Sequence, residues 1–165
     1  MSRGPRFVPL ACPVCNGDLA GSARDVVCFC KECGRAFLFT AGIATPIAAR
    51  RVADLPPGDA GEATALPFWR KGPVAVPAFL TARPMTLARA ASRLLGAWTI
   101  VAGAEPPYPI GGRLGPETLA PLAKMAGLPA PQGTLELLAV PARRAGARWR
   151  LPRLDLELVD DDVVV

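Results

Sequence analysis

The sequence predicts an α+β fold: a small β module at the N-terminus, then a small mixed α/β domain that ends in an antiparallel hairpin. Three observations predict it. All five cysteines of a chain without histidine lie between positions 12 and 33, in two CxxC pairs and one extra residue. Apolar residues at helical spacing follow in the middle of the chain, and the last third changes to alternating or continuous apolar runs. The 165 residues suit one domain, or a small module beside a domain of about 100 residues. We place the module at 1–49, a linker at 50–66 and the α+β domain at 67–165.

The two pairs are Cys12-Pro13-Val14-Cys15 and Cys30-Lys31-Glu32-Cys33, with 14 residues between them. A tetrahedral zinc ion takes four thiolates, and two short turns joined by a hairpin supply them from two sides. Asn16-Gly17 follows the first pair and Gly34 the second. Both offer the positive φ that a tight turn around a metal needs. Cys28 lies in the β-branched, apolar run "DVVCFC", which reads as a strand, and a 28/33 pairing has the wrong spacing for a compact turn. The expected ligands are therefore Cys12, Cys15, Cys30 and Cys33, the expected cofactor is Zn²⁺, and Cys28 is a buried thiol outside the set. Disulfides would need an oxidising compartment, whereas "MSRGPRFVPLAC" has neither an apolar signal core nor a cleavage site. A redox CxxC lacks its βαβ context here, and iron–sulfur clusters use other spacings.

In "CGRAFLFTAGIATPI" the second pair runs into an apolar strand from Ala36 to Phe39, a turn at Gly42, then Ile43 to Pro46. The stretch from Cys12 to about Ile47 resembles the small bacterial zinc ribbons with a CPxC…CxxCG-aromatic…GIP layout. It is also similar to the zinc-binding activator subunit of tRNA, rRNA and release-factor methyltransferases. The resemblance implies a protein-docking platform with links to translation, and no active site. Gly42-Ile43-Ala44-Thr45-Pro46 is two residues longer than the Gly-Ile-Pro of that layout, and the rest of the chain falls outside the family. With "LPFWR" and "VPAF", that remainder faintly resembles uncharacterised bacterial zinc-ribbon proteins, which implies no activity.

Residues 50–66, "RRVADLPPGDAGEATAL", are small, polar and rich in proline and glycine, the composition of a linker. Phe68, Trp69 and Phe79 are expected core anchors, and Val74 to Val76 a short strand. A base-stacking role for Phe68 and Trp69 beside Arg70 and Lys71 is the lesser reading, because Trp and Phe mostly serve packing. "PMTLARAASRLLGAW" reads as a helix with Leu87, Ala91, Leu94, Leu95 and Trp98 on one face and Arg89 and Arg93 on the other. "LLGAWTIVAGA", 94–104, is too short to span a bilayer and reads as a buried helix end and a core strand. Gly111-Gly112 is expected as a turn, since no phosphate-loop pattern surrounds it. A second helix starts with Thr118 as N-cap, which puts Pro121 in the tolerant first turn, and Gly127 closes it. "TLELLAVPARR", "ARWRL" and "LDLELVDD" then form a hairpin and a third strand, with turns at Ala145-Gly146 and Pro152.

The functional classes narrow from here. The formal charge of +5 falls to about +3 when four thiolates hold one Zn²⁺. Without histidine, acid–base work would fall to Asp, Glu, Lys, Cys or the lone Tyr108, and no convergent carboxylate pair is evident outside the tail. A four-cysteine zinc keeps no open position for water. The expectation is a non-enzymatic adaptor or structural subunit in the cytoplasm that docks onto a protein partner or larger complex and has no membrane span. A nucleic-acid module is the runner-up. Its contact set is the hairpin tip, Arg143, Arg144, Arg148, Trp149 and Arg150, with Arg153 nearby; these residues equally suit an acidic partner. Arginine outnumbers lysine 16 to 3 throughout, so abundance alone does not favour that reading. The acids Asp160 to Asp162 follow closely and can pair with those arginines.

Overall fold

The computed structural model describes residues 11–20, 24–53, 61–103 and 109–163, which form two sheets and two α-helices. The first sheet is an antiparallel meander of β1 (Leu19–Ala20), β2 (Val27–Cys30), β3 (Ala36–Thr40) and β4 (Ile43–Ile47). The second has seven strands: β5 (Ala49–Val52), β6 (Glu62–Lys71), β7 (Val74–Pro77), β8 (Ile100–Ala102), β9 (Leu135–Ala145), β10 (Arg148–Leu151) and β11 (Leu156–Val159). The helices are α1 (Pro84–Leu94) and α2 (Leu119–Met125). The fold is α+β and ends in the antiparallel β9–β10–β11 ladder, as the sequence predicts.

Strand β9 is the axis of the second sheet. One edge pairs with β6 throughout, from Lys71↔Leu135 to Glu62↔Arg144. The other edge runs parallel to β5 at Leu137 to Ala139, then antiparallel to β10 from Arg143. Pro141 sits at this fork. The N–H of Leu137 donates to Ala48 on the β5 side, so by the two-residue period the nitrogen of Pro141 faces the same side, where it lies between β5 and β10. A missing donor costs no ladder bond there. Pro67 uses a similar position: its carbonyl accepts from Ala78 N–H (3.0 Å), while the Ala78 carbonyl accepts from Leu114 N–H (2.9 Å) instead.

Both faces of the β6–β7–β9 sheet are buried, which is why these strands read as continuous apolar runs. Phe68 and Trp69, adjacent on β6, point to opposite faces. Phe68 joins Phe79, Leu87, Ala91, Leu95, Leu138, Trp149 and Leu158 on one side. Trp69 joins Val74, Val76, Leu137, Leu119 and Ala123 on the other. The same second cluster contains Val27, Phe29 and Ala36 of the N-terminal sheet. The expected module and domain thus share a hydrophobic cluster.

The polar contacts follow the packing. Val27 and Gly112 bridge antiparallel, and Val26 N–H donates to the Gly112 carbonyl (2.7 Å). Next to this bridge, Asp25 Oδ1 lies 3.8 Å from Arg113 Nε, both side chains largely buried. Gly111-Gly112 is therefore more than a turn. A Cβ on Gly112 would lie 2.7 Å from the Ala78 carbonyl oxygen, and one on Gly111 would collide with the Asp25 carboxylate.

Several local expectations change. Residues 50–52 and 62–66, expected in the linker, are strand, because β5 and β6 both pair with β9; 54–60 lie outside the described residues. β8 is an edge strand with Ile100 and Val101 half-buried rather than a core strand. Thr118 precedes α2 as expected but makes no side-chain cap. A 3-10 turn at Pro116–Thr118 already places it in helical φ/ψ, and its hydroxyl donates to the Gly115 carbonyl (2.7 Å). Gly127 closes α2 as predicted, at φ +71°, with Gly127 N–H on Lys124 O (3.1 Å) and Leu128 N–H on Ala123 O (2.9 Å). No helix among the described residues is long and apolar enough to cross a membrane.

Candidate metal centre

The two CxxC segments fold into matching turns. Cys12 N–H donates to Gly17 O (2.8 Å) and Asn16 N–H to Cys12 O (2.9 Å); Cys30 N–H donates to Arg35 O (2.8 Å) and Gly34 N–H to Cys30 O (2.9 Å). Asn16 (φ +61°) and Gly34 (φ +70°) occupy the left-handed region that closes each turn. Gly17 serves close approach: a Cβ there would lie 2.5 Å from Glu32 Cγ and 3.2 Å from Cys15 Sγ. The antiparallel pairing Leu19↔Cys30 brings the first turn over the second.

The four sulfurs consequently converge. Cys12 Sγ and Cys33 Sγ are 3.7 Å apart, Cys15 Sγ and Cys30 Sγ 3.4 Å, and all four lie within 4.8 Å of one another. A tetrahedron with metal–sulfur bonds of about 2.3 Å has sulfur–sulfur edges of about 3.8 Å, so the spacing fits a four-thiolate metal site. A disulfide would need about 2.05 Å. The N–H groups of Val14 and Cys33 approach Cys12 Sγ (3.4 Å) and Cys30 Sγ (3.5 Å), an outer shell that stabilises thiolate charge. Cys12 and Cys30 are buried, Cys15 and Cys33 exposed.

Crowding sets the thiol acidities. Burial pushes Cys12 up, but the backbone N–H groups of Cys15 and Val14 outweigh it and bring the thiol down to about 7. The Gly17 N–H pulls Cys15 down, yet the Cys30 thiol, burial and the Cys12 and Cys33 thiols push it up to about 12. Burial, then the Cys30 and Cys12 thiols, raise Cys33. Such a cluster holds protons until a cation replaces them.

Cys28 stands apart. Its side chain is fully buried beside Phe37 on the β2–β3 ladder, and it lies outside the group of four converging sulfurs. Burial and the Asp25 carboxylate push its thiol up to about 11. That acidity suits an inert core thiol.

The hairpin residues do not form one open surface. Trp149 is 2 % exposed, its indole N–H donates to Asp160 Oδ1 (2.8 Å), and the Arg144 guanidinium lies 4.8 Å over its ring. Stacking on a base would require unpacking it. Arg144 also pairs with Asp160 (3.4 Å) and Arg148 with Glu157 (3.2 Å). Arg150 is exposed and Arg143 half-buried, directly opposite each other across β9 and β10. Arg153 turns inward and donates to the Ala53 carbonyl. Asp25 and Gly112, which seat the cysteine-bearing sheet on the domain, were missed at the sequence level; the Gly-Gly pair was the only signal for them. No family model matches the chain, and neither a curated protein nor a solved structure is significantly similar to it.

Proposed function

We propose that this chain is a zinc-binding, non-enzymatic adaptor or structural subunit that docks onto a protein partner or larger complex. The observation that carries the reading is the place of the four thiols. They converge between two turns at one end of a small sheet whose residues Val27, Phe29 and Ala36 are packed into the core. Cys12, Cys15, Cys30 and Cys33 would hold the metal. Zn²⁺ suits a four-sulfur tetrahedral set, and bound this way it supplies cross-linking rather than Lewis-acid chemistry, because no position is left for water. Thiols kept for a metal fit a reducing compartment such as the cytoplasm. The module keeps apolar side chains for a partner: Ile43 on the β3–β4 hairpin is 68 % exposed and Val14, between two ligands, 50 %.

The nucleic-acid reading loses its aromatic residue to the core and two of its arginines to ion pairs. The adaptor reading is tested by affinity purification of the intact chain from its native host, with and without nuclease, alongside elemental analysis. One zinc per chain and a stoichiometric protein partner that survives nuclease is the expected result. A zinc-free chain, or partners that vanish with nuclease, would overturn it.

A further inference from the structure

Helix α1 meets the β10–β11 hairpin along a seam that closes at both ends and gapes in the middle. At one end Arg83 Nη1 donates to the Glu157 carbonyl (3.4 Å); at the other, the Trp98 indole N–H donates to the Arg153 carbonyl (3.3 Å). On its far side the helix is tied to β7, where the Ser92 hydroxyl accepts from Ala75 N–H (3.0 Å) and donates to Ala75 O (3.1 Å). The walls are thus held at a set spacing. Between them lies an open groove of about 400 Å³, lined by Thr86, Arg89, Ala90, Arg93, Leu154, Asp155 and Leu156. That is within the range of sites that take small ligands or peptide side chains.

The lining has a pattern. Arg89 and Arg93, one turn apart on α1, supply two cations on one wall. Arg89 Nε donates to the Ala126 carbonyl at the end of α2 (2.9 Å), which restrains this side chain, while Arg93 is exposed. Asp155, at φ +50°, sits on the opposite wall. Among the described residues it forms no ion pair with either arginine, although all three line one groove. Ala90 and Leu156, both half-buried, add apolar lining, and Leu154 behind it belongs to the core. A bare phosphate would meet cations but also the Asp155 carboxylate and would leave the apolar surface uncovered. A nucleic-acid strand has the same difficulty.

We propose that this groove is the docking site for a short partner segment in which an Asp or Glu neighbours an aliphatic side chain. The acid pairs with Arg89 and Arg93, the aliphatic group covers Ala90 and Leu156, and Asp155 excludes polyanions. The proposal rests on the adaptor reading and gives its partner a chemistry.

The test is a random-peptide display selection on the zinc-loaded full chain, with the binding peptides mapped by backbone amide shifts. Expected are sequences with an acid one or two positions from Leu, Ile, Val or Met, shifts confined to Thr86–Arg93 and Leu154–Leu156, and affinity about ten-fold or more weaker for Arg93→Glu. Arg93 is exposed, so this variant keeps the wild-type melting temperature; Arg93→Gln gives an intermediate loss. Selected peptides without acids, shifts elsewhere, full binding by Arg93→Glu, or displacement by inorganic phosphate or an oligodeoxythymidine at millimolar concentration would overturn the groove. Native partner capture retained by zinc-loaded Arg93→Glu would overturn it too, while leaving the adaptor reading intact.

Discussion

Val27 of β2 and Gly112 exchange two backbone hydrogen bonds, Val27 N–H to Gly112 O at 3.0 Å and Gly112 N–H to Val27 O at 3.1 Å. Through this bridge the sheet that carries the cysteines becomes an extra layer over the face of β6, β7 and β9 that holds Trp69. A metal held by Cys30, three residues along β2 from Val27, would therefore be coupled to the core of the domain.

A side chain at position 112 should weaken that coupling. In Gly112→Ala the new Cβ faces the Ala78 carbonyl at 2.7 Å, a backbone atom that cannot swing aside. Overpacking of this kind costs about 1–3 kcal/mol, or a fall in Tm of about 3–10 °C for a chain this size. Calorimetry of the zinc-loaded variant checks it; an unchanged Tm would refute the bridge.

Removing the metal should loosen both sheets. Without it the four thiols have only weak mutual contacts, and Val27, Phe29 and Ala36 lose the turns that hold them over Trp69, Val76 and Leu137. The expected result of chelation is a fall in Tm of at least about 10 °C and increased binding of a dye for apolar surface. Hydrogen exchange in β6 and β9 unaltered by chelation would show the layers to be independent.

The cysteines should separate into two classes. Cys30→Ser should lower zinc affinity by about 100-fold or more, since a hydroxyl is a poor ligand for a site built from thiolates. Cys28→Ser should keep one zinc per chain yet lose about 1–3 kcal/mol of stability, because it buries a hydroxyl at a fully buried position. Elemental analysis and denaturant titration distinguish them, and the reverse pattern would reassign the ligands.

Zinc retention should fall steeply in acid. Metal-free Cys15 sits at about 12 and Cys33 is also raised, so both are protonated at pH 7, while Cys12, at about 7, is half so. The metal-bound form carries fewer protons than the free form, and lowering the pH therefore favours release. About two to three protons displaced from these thiols per zinc correspond to an affinity loss of about 10²- to 10³-fold per pH unit. A chromogenic chelator followed from pH 8 to pH 4 gives the slope; a flat profile would rule out thiolate ligation.

Asp160 should matter more than its exposed position suggests. It accepts from the Trp149 indole and pairs with Arg144, so Asp160→Ala leaves an indole N–H without its acceptor under a guanidinium. The expected loss is about 1–2 kcal/mol by denaturant titration, with Asp160→Asn recovering part of it. Equal stability of all three proteins would make this tail contact incidental.

The cysteine turns were legible because their information is local. Spacing within CxxC, Asn16 and Gly34 at positive φ, and the burial of Cys28 follow from a few consecutive residues. The α1 face was legible for the same reason: Leu87, Ala91 and Leu95 are buried, with Leu94 and Trp98 packed beside them. Trp149 was misread, since arginines on either side made it look exposed. The two-residue alternation on β10 turns Trp149 and Leu151 inward while Arg148 and Arg150 stay out.

What the sequence by itself determined is the chemistry of each segment: four thiols at metal-binding spacing, an amphipathic helix, and strands apolar enough to be buried on both faces. Only the tertiary structure decided which segments meet. "RRVADLPPGDAGEATAL" reads as a tether, yet Arg50, Arg51 and Glu62 to Leu66 lie in strands, because β9 offers unpaired backbone on both edges. Gly111-Gly112 reads as a turn, yet it admits β2 where any side chain would clash. Strand pairing and close approach depend on partners distant in the chain, and a backbone donor looks the same in every residue but proline.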